Sequence, residues 1–240
     1  MFRLAVPYVT CIEFGDRHEK WSNAFFNILA KDSKQKKLKI LCLPRINKVI
    51  KAALKNMVEK GVKISFYSVG MEVLKDLPAH RFESFNTTDN KLRFLKDFNC
   101  TFRRLQFFGI DLNYLKNLPK EIVLASVEEV LINFSHEENC SEQLFTVIKR
   151  IFPKVEKVTV KELHITDRGE NHKIEQQIEE LKDAVRNAPQ KVVRVTMMIY
   201  CCKDPPHWIK IFDGEKIGEY HYQWKSKSDE NKIVGLEIWV

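Results

Sequence analysis

Residues 127–160 read VEEVLINFSHEENCSEQLFTVIKRIFPKVEKVTV and hold one structural unit followed by the start of the next. Val127, Val130 and Ile132 form an apolar triplet, with two residues and then one between its members. Alternation of the last two sends both side chains to one face of an extended chain, and the β-branched content suits a strand. Leu144, Val147, Ile148 and Ile151 then recur at three- and four-residue steps, which predicts a helix over 141–152. Pro153 has no N–H with which to continue that helix. Val155, Val158 and Val160 follow at once and repeat the triplet. The local grammar is strand, helix, proline stop, strand.

The same spacing recurs on both sides of this stretch. Val9, Ile12 and Phe14 carry it, as do Leu38, Leu41 and Leu43, then Phe102, Leu105 and Phe107, then Val192, Val195 and Met197. Two weaker members stand between, Gly61, Ile64 and Phe66, and Phe82, Phe85 and Thr87. Helical stripes fill the intervals: Ile46, Val49, Ala53 and Met57 over 45–60, and Ile174, Ile178, Leu181 and Val185 over 171–187. Pro78 and Pro189 close segments just before strands, as Pro153 does. A strand–helix unit of about 25 residues buries its apolar face only against its neighbours. The spacing therefore predicts an α/β fold over 1–202, a leucine-rich-repeat-like strand–helix solenoid with a curved parallel sheet and helices on the convex side. It resembles the leucine-rich L-x-x-L-x-L pattern with Val, Ile and Phe for Leu, and with Ile46, Ile110 and Leu163 where an asparagine would stand. The competing arrangement is an ordinary α/β sandwich of parallel strands.

After residue 202 the grammar changes. His207–Phe212, Gly218–Trp224 and Ile233–Val240 are apolar runs, and Asp213-Gly214 between the first two is a hairpin signal. Residues 203–240 are expected to form an antiparallel cap over the open end of the repeats.

The segment Trp208-Ile209-Lys210-Ile211-Phe212-Asp213-Gly214 through Ile217, with the closing Leu236, Ile238 and Trp239, resembles the F-box-associated regions of the large nematode F-box families. With its first strand near Val9, the chain resembles the recognition half of such proteins. The resemblance implies binding of a protein substrate in a ubiquitin-ligase context, with the F-box itself docking on the Skp1 subunit.

Composition narrows the chemistry. The chain has 240 residues, is 44% hydrophobic and 30% charged, and contains only 8 Gly and 8 Pro, which argues against disorder and low complexity. No apolar run approaches the roughly 20 residues of a membrane helix, and Met1–Pro7 lacks a signal-peptide pattern. The six cysteines show no C-x-x-C pair, and Cys201-Cys202 with His207 is a poor metal set, so no metal or cofactor is expected. The sequons at Asn86, Asn99, Asn133 and Asn139 read as chance in a reduced, intracellular protein of cytoplasm or nucleus. His136 beside Glu137-Glu138, His164 beside Glu162 and Asp167, and His221 between two tyrosines lack a nucleophile, base and orienting group at a required spacing. No catalytic residue is assigned and no enzymatic activity is expected.

Charge is concentrated instead. Residues 31–63 carry eleven Lys and Arg against Asp32 and Glu59, an excess that exceeds the net +8 of the whole chain. Arg45, Lys48, Lys51 and Lys55 form a basic patch on the helix predicted there, suited to an acidic protein or to nucleic-acid phosphates. The first expectation is a non-enzymatic protein-interaction module, with contacts from residues interleaved with or following the triplets: Glu13, Arg17, Lys39, Gln106, Asn133 and Thr159. The alternative is binding of nucleic acid or another polyanion through the strip 31–63.

Overall fold

The structure is a computed structural model and describes residues 6–14, 19–32, 34–88, 92–134, 142–166, 171–200 and 208–239. The chain is α/β: parallel strands alternate with helices, and the C-terminal edge is antiparallel. It divides into two compact units, residues 1–87 with 91–106, and residues 88–90 with 107–240.

In the first unit, a 3-10 turn at Val6–Tyr8 leads into β1 (Cys11–Glu13), α1 (Glu19–Asp32), β2 (Lys37–Leu41), α2 (Lys48–Glu59), β3 (Lys63–Tyr67), α3 (Met71–Leu74), β4 (Arg81–Thr88) and α4 (Leu92–Leu95). β1 to β4 pair in sequence order, all parallel. α2 shows why these residues fold as they do. Asn47 caps it, its side-chain oxygen accepting from the N–H groups of Val49 and Ile50. Ile50, Ala53, Leu54 and Met57 turn inward at helical spacing, and Lys48, Lys51 and Lys55 turn outward. Gly61 takes the left-handed conformation (φ 84°) just beyond the helix end and starts the turn into β3. Phe66, Phe82, Phe85 and Phe102 form a ladder of rings 5.1 to 6.1 Å apart in this core. The division between the units falls within β5 (Thr101–Ile110).

The second unit continues with α5 (Leu112–Lys116), β6 (Glu129–Phe134), α6 (Glu142–Ile151), β7 (Lys157–Thr166), α7 (Asn171–Asn187), β8 (Val192–Tyr200), α8 (Trp208–Phe212), β9 (Glu215–Lys216), β10 (His221–Lys225) and β11 (Lys232–Trp239). The inward rows across its strands explain the valine-rich sequence. Val130, Val158 and Val193 lie side by side, and Ile132, Val160, Val195 and Val234 form the next row, every one of them buried. Leu163, Met197 and Leu236 form a third. Each fully buried aliphatic side chain contributes roughly 1.5–3 kcal/mol. α6 covers these rows with Leu144, Phe145, Ile148 and Ile151 and stops at Phe152-Pro153, and α7 adds Ile174, Ile178, Leu181 and Val185.

Three details differ from the sequence reading. In β2 the inward pair is Leu38 and Ile40, with Leu41 only half-buried, and the left-handed backbone of Cys42 (φ 51°) breaks the alternation after it and returns Leu43 to the core. The run ending at Phe212 is helical: Trp208, Ile211 and Phe212 also satisfy a helical period, and Asp213 (φ 47°) turns the chain after it rather than closing a hairpin. The last strand does not simply cap the sheet in antiparallel fashion. β11 pairs in parallel with β8 along its whole length, and only β10 and β9 beyond it are antiparallel. No helix among the described residues is long and apolar enough to cross a membrane.

Candidate functional site

The outward face of β7, β8, β11 and β10 is where chemistry-bearing side chains gather. Lateral register sets them in rows. Thr159, Arg194, Ile233 and Lys225 form one, with Ile233 between the two cations. Thr196, Gly235, Gln223 and Glu215 form the next. His164, Met198, Glu237 and His221 follow, and Tyr200 with Trp239 ends the face. At a strand separation of about 4.8 Å, the backbones of Arg194 and Lys225 stand roughly 10 Å apart.

Two features of this face are unusual for exposed sheet. The first is a groove of about 380 Å³ whose floor is Gly235 and whose walls include Arg194, Lys225, Ile217, His221 and Glu237. The second is a run of aromatic rings. His164 and Tyr200 stack at 5.7 Å with planes 10° apart, and Tyr200 lies 6.2 Å from Trp239. Tyr200 and Trp239 remain 47% and 52% exposed. Large aromatics carry much of the energy in protein interfaces, so two of them half-exposed on a rigid sheet suit partner binding.

The chain matches no protein-family model, no curated protein and no solved structure. What this face can do therefore rests on its own chemistry.

The residues expected from the sequence are distributed over both units. Glu13 is exposed on β1, and Lys39 is exposed on β2 with its ammonium 4.2 Å from the centre of the Tyr67 ring. Gln106 is half-buried on β5. Thr159 lies beside Arg194 on the face just described. Asn133 acts locally, its Nδ2 donating to Glu162 Oε2 at 2.6 Å and so holding the bulge in β7 where Glu162 takes φ 56°. Arg17, together with His136, Asp167, Cys201, Cys202 and His207, lies outside the described residues. Among the described residues, no group of three or more His, Cys, Asp or Glu could hold a metal ion.

The basic strip separates into two groups in space. Lys48, Lys51 and Lys55 are exposed on α2, Lys55 within 3.8 Å of Glu59, with Arg45 exposed in the segment before it. Lys37 and Lys63 are register partners across β2 and β3, both exposed, next to exposed Lys34 and Lys36. That second grouping was not readable from linear spacing. Nor were Arg194, Lys225, Tyr200 and Trp239 assigned as a site. The signal in the sequence was Gly235, an isolated glycine inside a mostly apolar strand.

Proposed function

We propose that the protein is a non-enzymatic interaction module that binds a protein partner on the outward face of β8, β11 and β10. The observation that carries this reading is the half-exposed Tyr200–Trp239 pair beside a groove, on strands locked in parallel register. The recurrence of strand–helix units in parallel register supports a leucine-rich-repeat-like solenoid as the scaffold. The resemblance of 208–217 and of Leu236, Ile238 and Trp239 to F-box-associated regions supports a partner presented for ubiquitylation. The test is capture from a nuclease-treated extract by the wild-type chain and by the Tyr200→Ala/Trp239→Ala variant. A stoichiometric protein held by the first and weakened about 30-fold or more for the second, at unchanged melting temperature, supports the reading. Equal capture by both overturns it, and recovery of Skp1 with the wild type places the module in the ligase.

A second reading, polyanion binding, rests on the Lys37–Lys63 pair. Like charges directly opposite on a sheet destabilise it, and a bound phosphate chain would relieve them. Binding of a single-stranded oligonucleotide that falls steeply with salt, and that Lys37→Glu/Lys63→Glu abolishes, would favour this reading. Binding indifferent to both would remove it.

A further inference from the structure

Gly235 occupies the interior of a strand flanked on both sides, where a glycine costs conformational entropy and forgoes side-chain packing. Two ordinary reasons for such a glycine fail here. Its backbone is not in the left-handed region. A Cβ added to it would find Thr196 Oγ1 at 3.6 Å, Thr196 Cγ2 at 3.8 Å and the Val195 carbonyl oxygen at 3.8 Å, all normal van der Waals contacts. Neither conformation nor space demands glycine. What its missing side chain does is leave the floor of the groove open, and close backbone approach by a ligand is the remaining use of a strand glycine.

The surrounding charges specify the occupant. Arg194 and Lys225 flank the groove on either side of Ile233, both exposed and neither ion-paired among the described residues. Gln223 stands beside Gly235 with an amide to offer, and Glu237 with His221 closes the opposite end. One end of the groove is thus cationic and the other carries a carboxylate, which disfavours a uniformly anionic chain such as a nucleic acid. Four residues along β11 separate Gly235 from Trp239, about 13 Å at the rise of a strand, a distance that an extended peptide covers with about the same number of residues.

Resting on the interaction-module reading above, we propose that this groove receives an acidic side chain of the partner polypeptide. Arg194 and Lys225 hold its carboxylate, its main chain passes over Gly235, and an aromatic or apolar side chain about four residues away packs on Tyr200 and Trp239.

The probe is a random Glu/Tyr copolymer titrated into the full chain by calorimetry, against Lys/Tyr copolymer, polyglutamate and polyphosphate. The Glu/Tyr copolymer should bind more tightly than all three. Gly235→Val should raise the melting temperature, because a β-branched residue replaces a strand glycine, yet weaken the copolymer tenfold or more. Arg194→Gln/Lys225→Gln should weaken it to a similar degree with melting unchanged, and this variant carries the test if Gly235→Val fails to fold. Undiminished binding by both variants, or equal binding of Lys/Tyr copolymer or polyphosphate, overturns the proposal. Should the aromatic double variant still lose its captured protein in that case, the interaction module stands and only the acidic groove falls. Should capture also be unaffected, both readings fall.

Discussion

Lys232 donates through its ammonium to the carbonyl oxygen of Ala188 at 2.7 Å, and also to that of Gln190. It ends the inward row Val130–Val158–Val193, buried to 4% exposure, so a charged residue completes an otherwise aliphatic line. Its stem packs as hydrocarbon and its head satisfies two carbonyls in the segment that follows α7. Burial pushes its pKa below the usual 10.5, with Asp229 opposing part of that. Lys232→Met keeps the stem but strips both carbonyls of their donor, at a cost of roughly 1–3 kcal/mol. The folded chain, holding the lower pKa, sheds this proton before the unfolded chain does. Wild-type stability should therefore gain on the variant as pH rises toward 10.5, a widening gap that urea melts at pH 8 and pH 10 would reveal.

How much of this was legible in the sequence follows from what each feature depends on. The rows through Val130, Val158 and Val195 were readable because β-branched alternation and proline stops are local properties. The slip in β2 was not, since it turns on one backbone angle at Cys42. The groove was hidden for a different reason. Arg194, Lys225 and Gly235 come together only through the parallel pairing of β11 with β8, a long-range choice that the Asp213-Gly214 hairpin signal pointed away from. The candidates chosen by interleaving, such as Lys39 and Thr159, have the right parity for an outward face, but parity alone cannot say which rows carry unpaired cations and open rings.

Glu83 and Arg103 form a hydrogen-bonded ion pair on the first unit, Nη2 to Oε1 at 2.6 Å and Nε to both carboxylate oxygens at 3.1 and 3.2 Å. The Arg103 hydrogen bond holds the Glu83 carboxyl below its usual range. The stabilisation this pair supplies is present above pH 4.5 and is lost as pH falls through the lowered pKa. Glu83→Gln should cost about 1 kcal/mol at pH 7 and converge with wild type in acid. Parallel melting curves at pH 7 and pH 3 check this; a constant difference would assign the loss to packing instead.

Asn47 plays two parts. It caps α2 through Val49 and Ile50, and its Nδ2 donates to Asn23 Oδ1 at 2.8 Å, tying α2 to α1. Asn47→Ala should cost about 1–2 kcal/mol, with Asn47→Asp recovering the cap but not the tie. Chemical denaturation of the three proteins separates the two contributions.

The described cysteines should differ in reactivity. Cys100 is buried and its thiol is pushed up to about 11 by that burial, whereas Cys11 and Cys42 are exposed. Thiolate is the reacting species, so alkylation at pH 8 should label Cys11 and Cys42 well before Cys100. Peptide mass mapping over time reads the order, and early labelling of Cys100 would mean that its surroundings open readily.

Lys182 shows how the C-terminal segment is fastened. It is 3% exposed on α7, pairs with Glu179 at 2.7 Å, and carries its ammonium 5.4 Å from the Phe212 ring centre and 5.8 Å from that of Trp224. Arg186 adds a second cation 5.6 Å over Trp224. These rings belong to α8 and β10, so α7 grips the edge that bears Gln223 and Lys225 through cation–π contacts. Those of buried Lys182 are made away from solvent, where each can reach about 2 kcal/mol, and that of Arg186 is made at the surface, where about 0.5–1 kcal/mol is expected. Lys182→Ala loses those contacts and the packed stem together, whereas Lys182→Met keeps the stem. The alanine variant should be destabilised by about 2–4 kcal/mol and the methionine variant by about half of that. Hydrogen exchange locates the effect: protection should fall first at 221–225, while the Val130–Val158–Val193 row stays protected. Uniform loss of protection would mean that β10 and β11 unfold only with the rest of the unit, and that the outward face cannot be loosened without dismantling its scaffold.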